Sequence, residues 1–372
     1  GEPNPLWVYS VGVSALFTPS VYPGTNIYTS SNLGTVNSLN PSNGEEFYRP
    51  VSLGGAINNR FSVVPLEDNT KMILTGAQNG YAYGIYADTG VVRWSVQLTS
   101  GMITAPPAVI LRKYANAAYQ SKYSTDLAFF ATRNSDRTTN RIYAINPNNG
   151  SVVWTFNQNG SYAVDIFAAG PTVDYSNNWL YAVSYSGASQ NQNSLWILDI
   201  INNGSLLYSA NYGDIDFGVA LSNNRTVANF ASKTTGLVYS INSSDKTLRW
   251  TYNPGLGNNV NYSYVLPLSG GFLFTVSSHL IRIADNGNSA SLVYDISIPG
   301  ATPPLLSVTW NKVYVGSNNG TIYQINLSDG STEFTRNVGY AIGFMSADTS
   351  LKNIYFGTTD GRVFAFRVPF TQ

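Results

Sequence analysis

Apolar and polar residues alternate along 141–156, RIYAINPNNGSVVWTF, and the alternation breaks once, at Asn-Pro-Asn-Asn-Gly. A period of two residues is typical of a β-strand with one covered face. Pro147 suits the first central position of a type I turn, and Gly150 supplies the positive φ that closes such a turn with a bulge. The segment therefore predicts a β-hairpin, with Trp154 and Phe156 on one face of its second strand.

This hairpin is one copy of a unit that recurs along the chain. The copies lie at 35–51, 81–98, 141–156, 194–210, 236–252, 280–296 and 320–338. The second strand of each copy carries one aromatic residue: Tyr48, Trp94, Trp154, Tyr208, Trp250, Tyr294 and Phe334. Two further apolar runs precede the hairpins, so a unit has four strands and recurs every 40 to 60 residues. This period with four strands per unit is typical of the blades of a β-propeller.

The two ends of the chain supply the eighth unit. An incomplete unit of three strands lies at 341–368, and its missing fourth strand is predicted at 5–11, where Trp7 takes the aromatic position. Pairing these segments in one sheet leaves no free edge between them. The predicted fold class is all-β, an eight-bladed β-propeller of four-stranded blades closed by the N-terminal strand. We expect a single domain, 1–372, with blades at about 15–52, 60–99, 103–157, 164–210, 216–252, 262–297, 301–338 and 341–368 plus 5–11.

Composition narrows the class of protein. Hydrophobic residues make up 43% of the chain but charged residues only 11%, against roughly 25% in typical soluble proteins. No apolar run reaches the about 18 residues that indicate a membrane-spanning helix, so we expect no transmembrane segment. Lys and Arg number 20, as do Asp and Glu, so no basic field points to nucleic acid. The chain has no Cys, which excludes disulfides, thiolate metal sites and Cys nucleophiles.

The order of apolar strand, Asn/Asp-x-x-x-Gly turn and Trp strand resembles the repeat of pyrroloquinoline-quinone (PQQ) enzymes and their non-catalytic relatives. The likeness covers nearly the whole chain and is clearest at 141–156, 236–252 and 320–338. For a catalytic member, the resemblance implies a calcium ion, a catalytic Asp base and groups that stack on the quinone. Most such enzymes also have a vicinal Cys pair and long insertions between blades, which this chain lacks. We therefore expect a non-catalytic member without PQQ.

Few residues suit catalysis or metal binding, and no catalytic residue is assigned. His279 is the only histidine, and a single imidazole builds neither a catalytic triad nor a multi-His metal site. Asp214 and Asp216 are predicted on one strand face, with Asp165 in the equivalent place one blade earlier. Same-face carboxylates suit a Ca²⁺ site or an acid/base pair. Asp214 and Asp216 are therefore a candidate calcium site. In the alternative interpretation, both are solvated acidic residues of a loop.

Most of the long loops fall on one predicted face. In a propeller, the connections from fourth to first strand and from second to third strand share a face, which we call the loop-rich face. Its loops predict a ligand or partner surface that contains Arg60, Asp165, Asp214, Asp216, Tyr262, Tyr264 and Tyr340. The insertion 111–126 lies on the opposite face, and its three Tyr and three cationic residues make it a second candidate contact surface.

Sequons of the type Asn-x-Ser/Thr without an intervening Pro predict N-linked glycans. They occur at Asn149, Asn159, Asn203, Asn224, Asn242, Asn261, Asn319 and Asn326. Chance is the alternative explanation, because the chain contains 41 Asn.

These features favour a non-catalytic, extracellular or cell-surface glycoprotein whose propeller mediates protein–protein contacts in envelope or filament assembly. Its expected partners are other surface or envelope proteins, an S-layer or a filament. The low charge and the abundance of Asn, Ser, Thr and Tyr are archaeal-like and resemble surface proteins of thermoacidophiles. One alternative is a carbohydrate-binding or carbohydrate-active propeller that uses the acidic residues and the Tyr residues of the loop-rich face, including Tyr162 and Tyr212. Another is an outer-membrane assembly lipoprotein scaffold, a class that shares this repeat but begins with a lipidated Cys.

Overall fold

The structure, a computed structural model, describes residues 3–22, 25–57, 59–348 and 352–371. Within these residues the chain forms eight antiparallel sheets of four strands each. The fold is an eight-bladed β-propeller, as predicted.

The strands are numbered in chain order, and the blades are numbered from the first sheet that follows the N-terminal strand. The N-terminal strand is β1, Trp7–Ser10. Blade 1 contains β2 Ser20–Tyr22, β3 Asn26–Ser30, β4 Thr35–Leu39 and β5 Glu46–Ser52. Blade 2 contains β6 Ser62–Pro65, β7 Lys71–Gly76, β8 Tyr81–Tyr86 and β9 Val92–Gln97. Blade 3 contains β10 Ala108–Ile110, β11 Leu127–Ala131, β12 Ile142–Ile145 and β13 Val152–Phe156.

The remaining blades follow the same order. Blade 4 contains β14 Thr172–Asp174, β15 Trp179–Val183, β16 Leu195–Asp199 and β17 Ser205–Ala210. Blade 5 contains β18 Ala220–Ser222, β19 Val227–Ala231, β20 Val238–Asn242 and β21 Leu248–Tyr252. Blade 6 contains β22 Leu266–Leu268, β23 Gly271–Val276, β24 His279–Asp285 and β25 Ala290–Ser297. Blade 7 contains β26 Leu305–Ser307, β27 Lys312–Gly316, β28 Thr321–Asn326 and β29 Thr332–Asn337. Blade 8 contains β30 Ser346–Asp348, β31 Asn353–Gly357 and β32 Arg362–Arg367, and β1 completes it.

The N-terminal strand closes the ring. β1 pairs antiparallel with β32, with Trp7 opposite Ala365 and Ser10 opposite Arg362. The Trp7 side chain is buried, with 7% of its surface exposed. The predicted closure by residues 5–11 is therefore confirmed.

The inner strands are covered on both faces, whereas the first strands are short. Every residue of β3 and β11 is buried, as expected for strands that lie between neighbouring layers. In blade 3, β10 begins only at Ala108, after Pro106 and Pro107. Proline has no N–H to donate to a strand ladder, which explains the late start.

Contacts divide the chain into two compact units. One consists of Gly1–Phe61, Leu268–Asn286 and Ala290–Gln372, and the other of Ser62–Pro267 and Gly287–Ser289. Buried aromatic and aliphatic residues fill the space between adjacent blades inside each unit. In the first unit, such clusters include Trp7, Ile27 and Tyr355, and also Tyr314, Phe356 and Phe366. In the second unit, they include Leu74, Trp94 and Phe130, then Phe129, Trp154 and Trp196, then Tyr181, Ile215 and Phe230.

The aromatic residue of an outer strand binds the hairpin turn of the next blade. The indole Nε1 of Trp94 donates to the carbonyl of Pro147 at 2.7 Å. Gly150 ends this turn with φ 77°, and a Cβ added to it would lie 2.6 Å from the Trp94 ring. The same pairing recurs from Trp7 to Pro41 and from Tyr294 to Leu327, both at 2.8 Å.

The insertion 111–126 changes this pairing between blades 3 and 4. The indole of Trp154 donates to the hydroxyl of Tyr123 at 3.0 Å, and that hydroxyl donates to the carbonyl of Ile200 at 2.5 Å. Tyr123 therefore links Trp154 to blade 4, whereas in blades 2, 6 and 8 the aromatic residue bonds directly to the turn of the next blade. Tyr119 is also buried, so two of the three tyrosines of the insertion lie inside the protein.

Candidate functional site

Three predicted acidic residues meet around one long loop of blade 4. The loop, 184–193, joins β15 to β16. Asp165 precedes β14, and Asp214 and Asp216 follow β17. All three carboxylates contact residues 185–187 of the loop. We call Asp165, Asp214, Asp216 and residues 184–193 the acidic loop cluster.

Asp214 fixes the turn of the loop. Its Oδ1 accepts from the backbone N–H of Ser186 at 2.7 Å and from the Ser186 hydroxyl at 3.0 Å. Its Oδ2 accepts from Gln190 Nε2 at 3.4 Å. Asp216 accepts a hydrogen bond from the hydroxyl of Tyr185. Both carboxylates therefore bind groups of the loop.

Asp165 holds the loop from the other side. Its Oδ2 accepts from the backbone N–H of Gly187 at 3.1 Å and lies 3.8 Å from Nε of Arg137. Its Oδ1 accepts from the backbone N–H of Ile166 at 2.8 Å. Since Gly187 has φ 84°, the turn requires a conformation that glycine adopts readily.

One tyrosine hydroxyl of the cluster is kept as a hydrogen-bond donor. Burial, with the adjacent Asp216 carboxylate, raises the pKa of Tyr185, so its hydroxyl stays protonated and serves as a donor at neutral pH. Among the described residues, no group of three or more His, Cys, Asp or Glu is arranged to hold a metal ion. The arrangement positions a loop.

The ordered surface continues from this cluster onto blade 5. Thr234 accepts from the backbone N–H of Asp214 at 2.9 Å and donates its hydroxyl proton to Gln190 Oε1 at 3.0 Å. The backbone N–H of Val260 in turn donates to the carbonyl of Lys233 at 3.1 Å. Loops from several blades of this unit are thus joined by hydrogen bonds into one continuous surface.

The predicted tyrosines of the loop-rich face differ in accessibility. Tyr262 is buried, with 5% of its surface exposed, and its hydroxyl donates to the carbonyl of Gly236 at 2.7 Å. Tyr264 is half-buried. Tyr162 is 40% exposed and stacks on Phe156.

Arg60, Tyr340 and His279 lie in the first of the two compact units. Arg60 is exposed. Tyr340 is 53% exposed, with the guanidinium of Arg362 at 5.5 Å from its ring centre. His279 is partly exposed and its Nδ1 lies 2.8 Å from Asp295 Oδ1, in a pair of neighbouring strands.

Sequence reasoning identified the three carboxylates but missed their partners. Tyr185, Ser186 and Gln190 make most of the contacts that order the loop. Arg137, in the connection from β11 to β12, was also missed. Ser and Tyr are so abundant in this chain, with 26 Tyr alone, that residue type does not single out these positions.

Most of the sequon asparagines are at the surface. Asn242 and Asn326 are half-buried. The others are exposed: Asn149, Asn159, Asn203, Asn224, Asn261 and Asn319.

The insertion 111–126 also contributes to a second surface feature. Tyr114, Ala115 and Asn116 line an open groove together with Tyr175, Ser176 and Arg225. These residues lie in the connections from first to second strand of blades 3, 4 and 5. The acidic loop cluster uses the other class of connections, so the two features belong to opposite ends of the strands.

Comparison with known proteins identifies the repeat. A family model described as outer membrane protein assembly factor BamB, built on the PQQ-like repeat, matches residues 4–252. The expected resemblance to PQQ-like propellers is therefore confirmed. None of the curated protein sequences compared with the chain matches it.

Solved structures show the same fold at low sequence identity. BamB from Moraxella catarrhalis is 15% identical, with a TM-score of 0.70 over 98% of this chain and 99% of that one. Quinohemoprotein alcohol dehydrogenase from Comamonas testosteroni is 12% identical, with a TM-score of 0.74 over 100% of this chain and 78% of that one. Sqt1 from Saccharomyces cerevisiae is 11% identical, with a TM-score of 0.74 over 100% of both chains. These similarities establish the fold, which is shared by proteins of different function.

None of the helices formed by the described residues is long and apolar enough to cross a membrane.

Proposed function

Because the chain belongs to the PQQ-like repeat family of outer membrane protein assembly factor BamB, we propose that it is a non-catalytic scaffold that binds other proteins. We place it at the cell surface or outside the cell, as a glycoprotein that takes part in envelope or filament assembly. The acidic loop cluster and the loops joined to it form the docking surface. A rigid ring that presents ordered loops is suited to recognition.

The carboxylates of the acidic loop cluster carry this proposal. Asp165 and Asp214 accept hydrogen bonds from backbone N–H groups of the loop, and Asp216 accepts from Tyr185. Carboxylates used in this way order a loop in advance, which lowers the entropy cost of binding a partner. Residues 188–191 of the loop remain exposed and uncharged, so the cluster presents neutral polar groups to a partner.

Exposed sequons support the cell-surface part of the proposal. A glycan needs an accessible Asn, and six of the eight sequon asparagines are exposed. Intact-mass measurement of the native protein, before and after deglycosylation, tests this part. Heterogeneous added mass is expected, whereas a mass equal to the bare 40.4 kDa chain, from a host that glycosylates proteins, would count against it.

Site-specific photo-cross-linking in the native host tests the docking surface. A photoreactive amino acid replaces Ser189 in the loop or, as a control, Thr89 in the turn from β8 to β9. Both positions are exposed and lie outside the sequons. The proposal expects Ser189, and not Thr89, to cross-link reproducibly to one surface or envelope protein. Equal cross-linking at both positions, or none at Ser189, would contradict the assignment of this surface.

The alternative of sugar binding or cleavage on the loop-rich face has less support. Tyr262 is buried and hydrogen-bonded to backbone, so its ring is not presented for stacking on a sugar. The three carboxylates are occupied by contacts with loop 184–193.

A further inference from the structure

The groove beside the insertion 111–126 has rigid walls. The hydroxyl of Tyr175 accepts from the backbone N–H of Leu111 at 2.9 Å. The side chain of Asn116 donates to the carbonyls of Tyr175 and Ser176 at 3.2 and 3.3 Å, and accepts from Asn178 at 2.9 Å. These contacts fix the insertion against the connection from β14 to β15, so the groove is formed before any ligand arrives.

Arg225 contributes an unpaired positive charge to the groove. Its guanidinium lies 6.0 Å from the centre of the Tyr175 ring, and Nη1 donates to the Ser176 hydroxyl at 3.3 Å. No ion pair with a carboxylate engages Arg225 in the described part of the chain. The nearby Asp174 is buried and accepts from the backbone of Ser176 and Asn177. The cation is therefore available to a ligand.

A left-handed turn holds Arg225 at the surface. Asn223, Asn224 and Arg225 have φ values of 52°, 55° and 68°. The corresponding turns of other blades also contain a residue with positive φ, at Asn69 and Asn178. The conformation is therefore a feature of this class of turn, and in blade 5 it presents an exposed cation to the groove.

The groove also presents an open aromatic ring. Tyr114 is 68% exposed, and Lys113 lies 5.3 Å from its ring centre without a carboxylate partner among the described ion pairs. The backbone carbonyls of Tyr175 and Ser176 are already used by Asn116, and the N–H groups of Tyr114 and Ala115 bond within the insertion. The walls thus offer no free backbone ladder to an extended peptide, and recognition depends on side chains.

We propose that this groove binds a carboxylate-bearing sugar of an acidic polysaccharide. The guanidinium of Arg225 pairs with the carboxylate, since its planar fork matches that group. The ring of Tyr114 packs on the apolar face of the sugar, and the Ser176 hydroxyl is in reach of the same ligand. The inference does not rest on the proposed protein-binding surface, which uses the other end of the strands.

Calorimetric titration of the full chain tests the site. The probe is trigalacturonic acid, and its methyl ester serves as the matched neutral ligand. Loss of a charge-assisted hydrogen bond corresponds to about a tenfold weakening, which we expect for the ester. Saturable binding of the acid with this preference supports the site. Absence of saturable binding, or equal affinity for acid and ester, overturns it.

Variants separate ligand binding from folding. Arg225→Asn removes the guanidinium but suits the positive φ, so we expect about tenfold weaker binding with an unchanged or raised Tm. Tyr114→Ala should also weaken binding, while Tyr114→Phe should retain it. Unaltered affinity in both Arg225→Asn and Tyr114→Ala overturns the assignment. Equal competition by a hexaglutamate peptide would show a general anion surface and overturn the saccharide class.

Discussion

The indole of Trp94 in blade 2 contacts one turn of blade 3 through both its nitrogen and its ring carbon atoms. Its Nε1 donates to the carbonyl of Pro147 at 2.7 Å, and Gly150 of the same turn lies against its ring. The hydrogen bond fixes the ring, and the missing side chain of the glycine makes the close approach sterically allowed. This relationship explains why an aromatic residue and an Asn-x-x-x-Gly turn recur together along the sequence.

Gly150→Ala should therefore destabilise the protein more than a glycine substitution with the same backbone strain. Both Gly150 and Gly255 have positive φ, 77° and 81°. A Cβ at Gly150 would lie 2.6 Å from Trp94, whereas a Cβ at Gly255 meets nothing within 4 Å. Overpacking costs about 1–3 kcal/mol, so we expect Gly150→Ala to lower the unfolding free energy by about that much more than Gly255→Ala. Urea denaturation of the two variants measures the difference, and equal losses would contradict the packing argument.

Tyr123→Phe should destabilise the contact between blades 3 and 4. The hydroxyl of Tyr123 links the indole of Trp154 to the carbonyl of Ile200. Its removal leaves a buried donor and a buried acceptor without this partner, and each such group costs about 1–3 kcal/mol. We expect a loss of roughly 2–4 kcal/mol in chemical denaturation. Tyr114→Phe removes an exposed hydroxyl and should change stability by less than about 0.5 kcal/mol. A Tyr123→Phe variant as stable as this control would refute this link.

Asp214→Ala should loosen the loop of the acidic cluster. The variant removes the acceptor of the Ser186 N–H and of its hydroxyl. Backbone amides that lose their partner exchange faster with solvent because the loop opens more often. Hydrogen-exchange mass spectrometry should show faster exchange in peptides that span 184–193. Asp245→Ala is the matched control, because Asp245 accepts only from Thr247 in a separate turn. Unchanged exchange at 184–193 would show that Asp214 does not order the loop.

The fold was predictable because the same sequence pattern recurs in each unit. Alternating strands, the turn glycine and the aromatic residue predicted every blade, and the three-stranded last unit predicted the closing role of Trp7. The ends of the first strands are harder to predict, because proline occurs at different places relative to them: β6 ends at Pro65, whereas β10 begins after Pro107.

The candidate site was only partly predictable. The order of the strands places Asp165 and Asp214 beside the same loop. The contacts of Tyr185 and Gln190, in contrast, depend on how two loops pack against each other. The buried state of Tyr123 has the same origin. A tyrosine in a charged insertion resembles a surface residue until the neighbouring blade is in place.

Asp126 should give stability a distinctive dependence on pH. Its carboxylate is fully buried and accepts from the backbone N–H groups of Arg112 at 2.6 Å and Glu67 at 3.2 Å. Burial raises the pKa of Asp126 and outweighs these two hydrogen bonds, which lower it. The folded state therefore binds a proton more tightly than the unfolded state. The resulting stabilisation is complete below the unfolded pKa and is lost as the pH rises through the folded pKa.

Comparison with Asp126→Asn isolates this contribution, because the amide does not titrate. The Tm of the wild type minus that of Asp126→Asn should be more positive at pH 3 than at pH 7. Asp136→Ala is the control of opposite sign, because Ala, unlike Asn, creates no sequon before Thr138. Hydrogen bonds from the backbone and hydroxyl of Thr138 lower the pKa of Asp136, so its contribution is present above the unfolded pKa and is lost as the pH falls. Differential scanning calorimetry across this range measures both differences. If the two differences moved in the same direction with pH, the buried carboxylate of Asp126 would not be the source of the effect.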